Sequence, residues 1–129
     1  MTTIRPEATV TELLAVLAAH NIGAVVVSED GSSIAGIVSE RDVVRRLDDR
    51  GAGVLTAPVS SIMTTDVHTC PPTANVDDLR QTMTTHRIRH VPVMDGGRLA
   101  GIVSIGDVVK SAIESLETEK AYLVDYLHR

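Results

Sequence analysis

The chain has 129 residues, a length that suits one compact domain, and its 43% apolar and 22% charged residues are the proportions of an ordinary globular protein. Its formal net charge of −5 argues against a nucleic-acid partner, because phosphate backbones are bound through a surplus of lysine and arginine. Its only aromatic residues are Tyr122 and Tyr126, so it lacks a stacking platform for single strands and its core is expected to be aliphatic.

Three sequence features bear on where the protein resides. Cys70 is the single cysteine, so no internal disulfide can form, which suits a reducing compartment. The first ten residues carry Arg5 and Glu7 and have no apolar core, so they lack the pattern of a signal peptide. No apolar run approaches the roughly 18 residues that span a bilayer. We therefore expect a soluble, cytoplasmic protein that contacts no membrane.

The first part of the chain predicts five elements in the order β-α-β-β-α. Apolar residues at helical spacing indicate the helices, and β-branched runs between turns indicate the strands. The elements are an extended piece around Ile4, a helix on the stripe Val10, Leu13, Leu14 and Leu17, strands at Ile22 to Val27 and Ile34 to Val38, and a helix that starts at Ser39.

The rest of the chain predicts the same order again, after a connecting stretch. A loose segment is expected from Asp48 to Pro58, followed by a lead-in from Val59 to Thr64. The second set comprises an extended piece at Val67 to Thr69, a helix on Val76, Leu79 and Met83 capped by Thr73 or Asn75, strands at Val91 to Met94 and Leu99 to Val103, and a helix from Ser104. An apolar stripe then continues to the end, which predicts a C-terminal helix that a partner helix or second subunit covers: Val109, Ala112, Ile113, Leu116, Leu123 and Leu127.

Direct alignment of the two halves shows a tandem repeat. Thr3 to Val10 aligns with Thr69 to Val76 at an offset of 66 residues, and so do the strings HNIGAVVV and HRIRHVPV. GIVSERD and GIVSIGD align at an offset of 65, and the lost residue falls in a turn rich in glycine, aspartate and serine. Each unit is too small to bury its own faces, so the two copies are expected to share one core.

The blocks HNIGAVVV…GIVSERDVV and HRIRHVPV…GIVSIGDVV resemble the CBS domain, named after cystathionine β-synthase. The resemblance implies an α/β (α+β) fold in which tandem β-α-β-β-α repeats form one pseudo-two-fold Bateman module with an added C-terminal helix. It divides the chain into a first repeat (1–50), a linker with the lead-in of the second repeat (51–65), a second repeat (66–114) and the C-terminal helix (115–129). Relatives usually also have a lead-in before the first repeat, and the first repeat here lacks one.

The same resemblance implies a function. CBS pairs bind adenine compounds in clefts between the repeats, so the expected ligand is AMP, ADP, ATP or NAD(H), with S-adenosylmethionine ranked below them. The implied protein is a non-catalytic regulatory module that senses energy status, forms a homodimer and signals to an unidentified effector protein. The alternative is a structural or protein-interaction module whose clefts are empty.

Two serine–aspartate pairs, Ser39 with Asp42 and Ser104 with Asp107, carry both a structural and a functional reading. A serine followed three residues later by an acid, before an apolar run, is typical of a capping box. A helix N-terminus also offers free N–H groups for a phosphate, and an acid one turn in can accept both hydrogens of a ribose diol. The resemblance assigns the ribose contact to Asp42 and Asp107.

The openings of the first long strands, Gly23-Ala24 and Arg89-His90, would line the clefts by the family pattern. Alternatively, the small pair only allows close packing and the basic pair is a solvated strand end. Each cleft would combine both repeats, and the cleft with more cationic groups would bind phosphate more tightly. The tighter cleft would hold Asp42, Ser39 and Arg41 opposite Arg89 and His90; the other would hold Asp107, Ser104 and Gly106 opposite Ile22, Gly23 and Ala24; the adenine would lie against Val67, Ile88 and Ile4, and Thr69 is a further expected ligand contact.

The remaining histidines and the cysteine give weaker evidence for a functional role. His20 and His86 end amphipathic helices, where a histidine favours the helix dipole, and His68 and His128 lack the partner spacing of a metal site, so no metal is expected. Cys70 has no nearby base in sequence and is interpreted as a turn thiol rather than a nucleophile. The chain has no P-loop, GxGxxG, HExxH or GxSxG motif, so no enzyme activity is predicted.

Overall fold

The computed structural model of the chain describes residues 1–114. The expected C-terminal helix at 115–129 lies outside the described residues. The strands are β1 (Thr3–Ile4), β2 (Ala24–Val27), β3 (Gly36–Ser39), β4 (His90–Asp95) and β5 (Arg98–Ser104). The α-helices are α1 (Val10–His20), α2 (Glu40–Arg50), α3 (Val76–His86) and α4, described over residues 105–114, and 3-10 helices cover Gly51–Thr56 and Val59–Ser61. The mixed α/β fold predicted from the sequence is confirmed.

The first sheet has the strand order β1-β2-β3. Strand β2 pairs in parallel with β1, Thr3 opposite Val26, and antiparallel with β3, Val25 opposite Val38. All four residues of β2 are buried, as expected of a β-branched run in the middle of a sheet. The predicted strand from Ile22 begins two residues late, because the left-handed Asn21 (φ 50°) ends helix α1 and the chain must then turn.

Within residues 1–114, the second sheet contains β4 and β5, which pair antiparallel with Val91 opposite Val103. An extended piece was predicted around Val67 to Thr69; these residues form no strand, and the parallel bridge lies at the next residue, Cys70, which pairs with Val93. Two prolines follow Cys70 directly and have no N–H to extend a ladder, so the pairing is confined to that residue.

Equivalent backbone hydrogen bonds confirm the repeat. Ser28 N–H donates to the carbonyl of Ile4 (2.8 Å), and 66 residues later Met94 N–H donates to the carbonyl of Cys70 (2.9 Å). The first residues of the second helices behave alike: the N–H of Glu40 donates to Gly23 (2.9 Å), and that of Ile105 donates to Arg89 (2.7 Å). The two copies therefore fold in the same register.

The connecting stretch is not the loose segment that was predicted for Asp48 to Pro58. Helix α2 continues to Arg50, where Gly51 (φ 74°) ends it, and two 3-10 helices follow. Val54 and Val59 are almost fully buried against the first repeat, which explains the order of this segment. The N–H of Val59 donates to the carbonyl of Ala8 (2.7 Å) and ties the segment to the start of α1.

The core is aliphatic, as expected, but the described residues form two clusters and not the single shared core that was expected. The larger cluster belongs to the first repeat and its linker, and the smaller one lies under α3 and α4. The first cluster contains Ile4, Val10, Leu13, Leu17, Val25, Val27, Val38, Val43, Val54, Val59 and Ile62. The second contains Leu79, Met83, Val91 and Val108.

Candidate ligand site at the paired helix starts

Helix α2 begins at a complete capping box. Ser39 Oγ accepts a hydrogen bond from the N–H of Asp42 (3.3 Å), while Asp42 Oδ2 accepts from the N–H (2.8 Å) and the hydroxyl (3.0 Å) of Ser39. Both side chains are half-buried. The predicted structural role of this pair is therefore confirmed.

Helix α4 begins in the same way. Asp107 Oδ2 accepts from the N–H (2.9 Å) and the hydroxyl (3.0 Å) of Ser104, and Ser104 Oγ accepts from the N–H of Asp107 (3.2 Å). The hydrogen bond from the Ser104 N–H lowers the pKa of Asp107 below its ordinary value, so this carboxylate is charged at neutral pH. Asp107 is exposed, whereas Asp42 is half-buried.

Each box leaves half of its carboxylate free. Within residues 1–114, neither Asp42 Oδ1 nor Asp107 Oδ1 accepts a hydrogen bond, because all the capping contacts go to Oδ2. A charged oxygen beside a helix N-terminus can accept a hydroxyl, while the first-turn N–H groups face an anion. Capping and ligand contact are therefore compatible at both positions.

The two repeats meet beside Gly23. A Cβ atom built on Gly23 would lie 3.6 Å from Glu40 Oε1 and 3.8 Å from His90 Nε2. Burial lowers the pKa of His90 below 6.5 and Arg89 lowers it further, whereas the carboxylates of Glu40 and Asp107 act in the opposite direction. His90 of the second repeat thus lies within reach of charged groups from both helix starts.

Hydrogen bonds and ion pairs in residues 1–114 do not join the predicted arginines and Gly106 to the charged side chains around His90. Arg41, Arg89 and Gly106 are exposed, and in the described part of the chain no hydrogen bond or ion pair links Arg41 or Asp42 to Arg89 or His90. The opposition of Asp42 to the basic strand end remains a prediction.

The remaining predicted cleft residues, which include the adenine walls Ile4, Ile88 and Val67, fall into three environments. Ile4 and Ala24 are buried, at 7% and 4% exposure, and Ile4 belongs to the first core cluster. Ile22 and Ile88 are partly buried at the edges of the two clusters. Val67 is half-buried and Thr69 is exposed, and both lie on the irregular stretch before Cys70. Ile22, Ile88 and Val67 thus keep accessible apolar surface, and Ile4 does not.

Sequence reasoning missed two features. It did not single out Glu40, although Glu40 occupies the first helical position where the second repeat has the uncharged Ile105. It also treated His68 and His86 separately, whereas their rings stack with centroids 3.7 Å apart. The two histidines are 18 residues apart, so only the fold brings them together.

The described residues also bear on metal binding and on membrane insertion. No group of three or more histidine, cysteine, aspartate or glutamate side chains in residues 1–114 is placed to hold a metal ion. Among the described helices, none is both long and apolar enough to cross a bilayer.

Comparisons with known proteins agree with this architecture. The family model of the CBS domain matches residues 1–49 and 59–114. A CBS domain-containing protein of Bacillus subtilis, YhcV, is 34% identical over 92% of this chain and 81% of its own. The crystal structure of the CBS-domain protein ATU1752 from Agrobacterium tumefaciens is 45% identical, with a TM-score of 0.84 over 87% of this chain and 89% of that one.

The chain therefore belongs to the CBS domain family and contains a pair of its repeats. CBS domain pair proteins are generally regulatory, and the family model that matches is not that of a catalytic family. Two more distant structures, each 24% identical, share the fold: the CBS pair of MJ0100, solved with 5-methylthioadenosine and S-adenosyl-L-methionine (TM-score 0.78; 89% of this chain, 91% of that one), and CBSX2, solved with AMP (TM-score 0.73; 88% of each).

Proposed function

We propose that this CBS pair is a cytoplasmic, non-catalytic sensor of adenine nucleotides of the AMP, ADP, ATP or NAD class. The observation that carries the proposal is the matched pair of helix starts, where Asp42 and Asp107 each keep one carboxylate oxygen free. That oxygen suits a ribose hydroxyl, and the helix N-terminus beside it suits a phosphate. The AMP in the structure of CBSX2 supports this ligand class, and the 5-methylthioadenosine and S-adenosyl-L-methionine in that of MJ0100 support an adenosine-containing ligand more broadly.

The two sites differ in charge. Glu40 and Arg41 begin α2, whereas Ile105 and Gly106 begin α4, and Arg89 and His90 open the strand of the second repeat where the first has Gly23 and Ala24. We assign the tighter phosphate contact to the site of Asp42, where we expect Arg41, Arg89 and His90 to supply the donors. An anion beside His90 also favours its protonated form, so binding there takes up a proton.

A bound ligand regulates the protein by changing how the two repeats pack against each other. A nucleotide held by groups of both repeats favours the arrangement in which those groups converge, and the population shifts toward that arrangement. The second helices carry exposed apolar residues, Val44 at 65% and Val109 at 49% exposure. These residues form the surface that contacts a second copy, so a change in packing alters the dimer. An effector protein that contacts the dimer then receives the signal.

Thermal melts of the full chain with AMP, ADP, ATP, NAD, NADH and S-adenosylmethionine test the proposal. A ligand at about a hundred times its dissociation constant adds roughly 2.7 kcal/mol of stability, a shift on the order of 10 °C for a domain of this size. We expect such a shift with at least one nucleotide, and we expect Asp42→Asn to reduce it.

The matched control is Glu12→Gln. Glu12 forms the same kind of capping box with Thr9 at the start of α1, so the substitution makes the same change of charge at a helix that faces no proposed ligand. Without ligand, Glu12→Gln should have the same melting temperature as Asp42→Asn. With ligand, its melting temperature should rise as much as that of wild type. If none of these compounds raises the melting temperature of wild type, the result would contradict the proposed sensor function and favour a structural module with empty clefts.

A further inference from the structure

His90 lies on the strand that faces the start of helix α4. In the ladder of β4 and β5 its partner is Ser104, so the two side chains lie on the same face of the sheet. Ser104 caps α4, and its hydroxyl donates to Asp107 Oδ2 (3.0 Å). The pairing of the strands therefore places the imidazole beside the cap that holds Asp107.

The side chain of His90 also reaches the start of helix α2, in the other repeat. Its Nε2 atom lies 3.8 Å from the position of a Cβ atom built on Gly23, and Glu40 Oε1 lies 3.6 Å from the same point. The carbonyl of Gly23 accepts the N–H of Glu40, the first residue of α2 (2.9 Å). One imidazole thus lies beside the N-termini of both helices that carry the proposed ligand contacts.

Only one repeat supplies a titratable group at this shared position. The residue equivalent to His90 in the first repeat is Ala24, and strand β2 contributes no charged side chain. Burial, the largest effect, and Arg89 on the same strand lower the pKa of His90. The carboxylates of Glu40 on α2 and Asp107 on α4 raise it. Charges from both repeats therefore act on a single imidazole.

We infer that His90 couples the two nucleotide sites, so that a ligand phosphate bound at the start of one helix strengthens binding at the other. The coupling rests on the proposed function, since it requires a nucleotide at each site. A phosphate beside either helix start favours the imidazolium form, so the unprotonated ring nitrogen takes up one proton from solvent when the first ligand binds. The second ligand then meets an imidazolium that is already formed, and its binding requires no further protonation.

The state of the free protein sets the sign of this coupling. Burial keeps the pKa of His90 below 6.5, so the imidazole is neutral at pH 7.5 before a ligand binds. Direct repulsion between the two phosphates acts against the coupling, and the shared imidazolium offsets it. Proton uptake on binding therefore separates this coupling from a purely structural role of His90.

Calorimetric titration of AMP into the full chain at pH 7.5, in two buffers of different ionisation enthalpy, measures the affinities and the protons exchanged. If another compound of the thermal panel stabilises the chain more, it takes the place of AMP. Asp42→Asn retains only the site of Asp107. We expect this site alone to bind AMP at least roughly fivefold more weakly than wild type binds its second AMP, and we expect wild type to take up protons.

His90→Gln keeps a polar side chain that does not titrate. In this background the site of Asp107 should bind AMP equally well with and without Asp42→Asn, and proton uptake should disappear. His20→Gln removes an exposed histidine at the end of α1 and is the matched control, which should keep both the coupling and the proton uptake.

A second AMP bound by wild type no more tightly than by Asp42→Asn, or only one AMP per chain, would overturn the coupling and leave the sensor function intact. Coupling or proton uptake that persists in His90→Gln would overturn it as well. Absence of binding by wild type for every compound of the panel would contradict the proposed function and the coupling together. The wild-type titration can overturn the coupling by itself, so the test does not depend on the folding of His90→Gln.

Discussion

At the residue scale, His90 connects the chemistry of the two repeats. It is half-buried, and burial lowers its pKa below 6.5, so it is neutral at physiological pH while Glu40 and Asp107 lie near enough to favour its charged form. A group in this condition responds both to pH and to the arrival of an anion.

His90 should make folding stability depend on pH. Because its pKa is lower in the folded state, the unfolded chain binds more protons between that value and 6.5. Stability is therefore complete above pH 6.5 and falls as the pH drops through this window. Denaturant melts from pH 5 to 8 should show a smaller slope in His90→Gln, with exposed His20→Gln as the control; an unchanged slope in His90→Gln would contradict this assignment.

Sequence reasoning predicted the local contacts of the site and missed the distant ones. The capping boxes of Ser39 and Ser104 depend on residues three apart, which a sequence displays directly. The approach of Glu40 to His90 and the stacking of His68 on His86 depend on the fold, and no spacing rule predicts them.

At the element scale, the repeat alignment predicted element type and order well, because apolar periodicity and turns are local signals. Helix α1 begins at Val10, and strands β3 to β5 each lie within two residues of the predicted bounds. The errors fell where pairing decides structure. The stretch at Val67 to Thr69 has strand-like composition and no ladder partner. The segment from Asp48 to Pro58 contains two glycines and a proline, yet it is held by the buried Val54 and by the buried Val59 that follows it.

Gly36 and Gly101, at equivalent positions of β3 and β5, give a matched test of how the linker holds β3, where Thr64 exchanges two backbone hydrogen bonds with Ile37, each 2.9 Å long. Gly36→Ala forces a methyl group against the carbonyl of Thr64 and should destabilise the fold by about 1–3 kcal/mol, the usual cost of overpacking. At Gly101 the same change places a methyl group that meets nothing within 4 Å in residues 1–114, so Gly101→Ala should leave stability nearly unchanged. Urea denaturation of both variants measures the difference, and equal losses would show that the linker does not hold β3 as described.

At the scale of the whole molecule, exposed apolar residues occupy equivalent helices of the two repeats. Val44 on α2 and Val109 on α4 correspond under the 65-residue offset, at 65% and 49% exposure. Exposed apolar residues at equivalent positions of two otherwise polar helices are suited to a symmetric homodimer that covers both.

Light scattering should therefore report a dimer that Val44→Glu or Val109→Glu dissociates, since each variant places a charge within the proposed interface. Leu14→Glu, on the half-exposed face of α1, is the control and should remain dimeric. A monomeric wild type, or a dimer unaffected by both α2 and α4 substitutions, would contradict this surface.

The carboxylate oxygens of Asp42 and Asp107 that accept no capping hydrogen bond are the proposed nucleotide contacts, and calorimetric titration of AMP into the full chain measures whether they hold a nucleotide. We predict saturable binding by wild type and by the capping-box control Glu12→Gln, and none by the double variant Asp42→Asn with Asp107→Asn, provided that it remains folded by circular dichroism. Undiminished binding by the folded double variant would contradict the claim and place the ligand elsewhere.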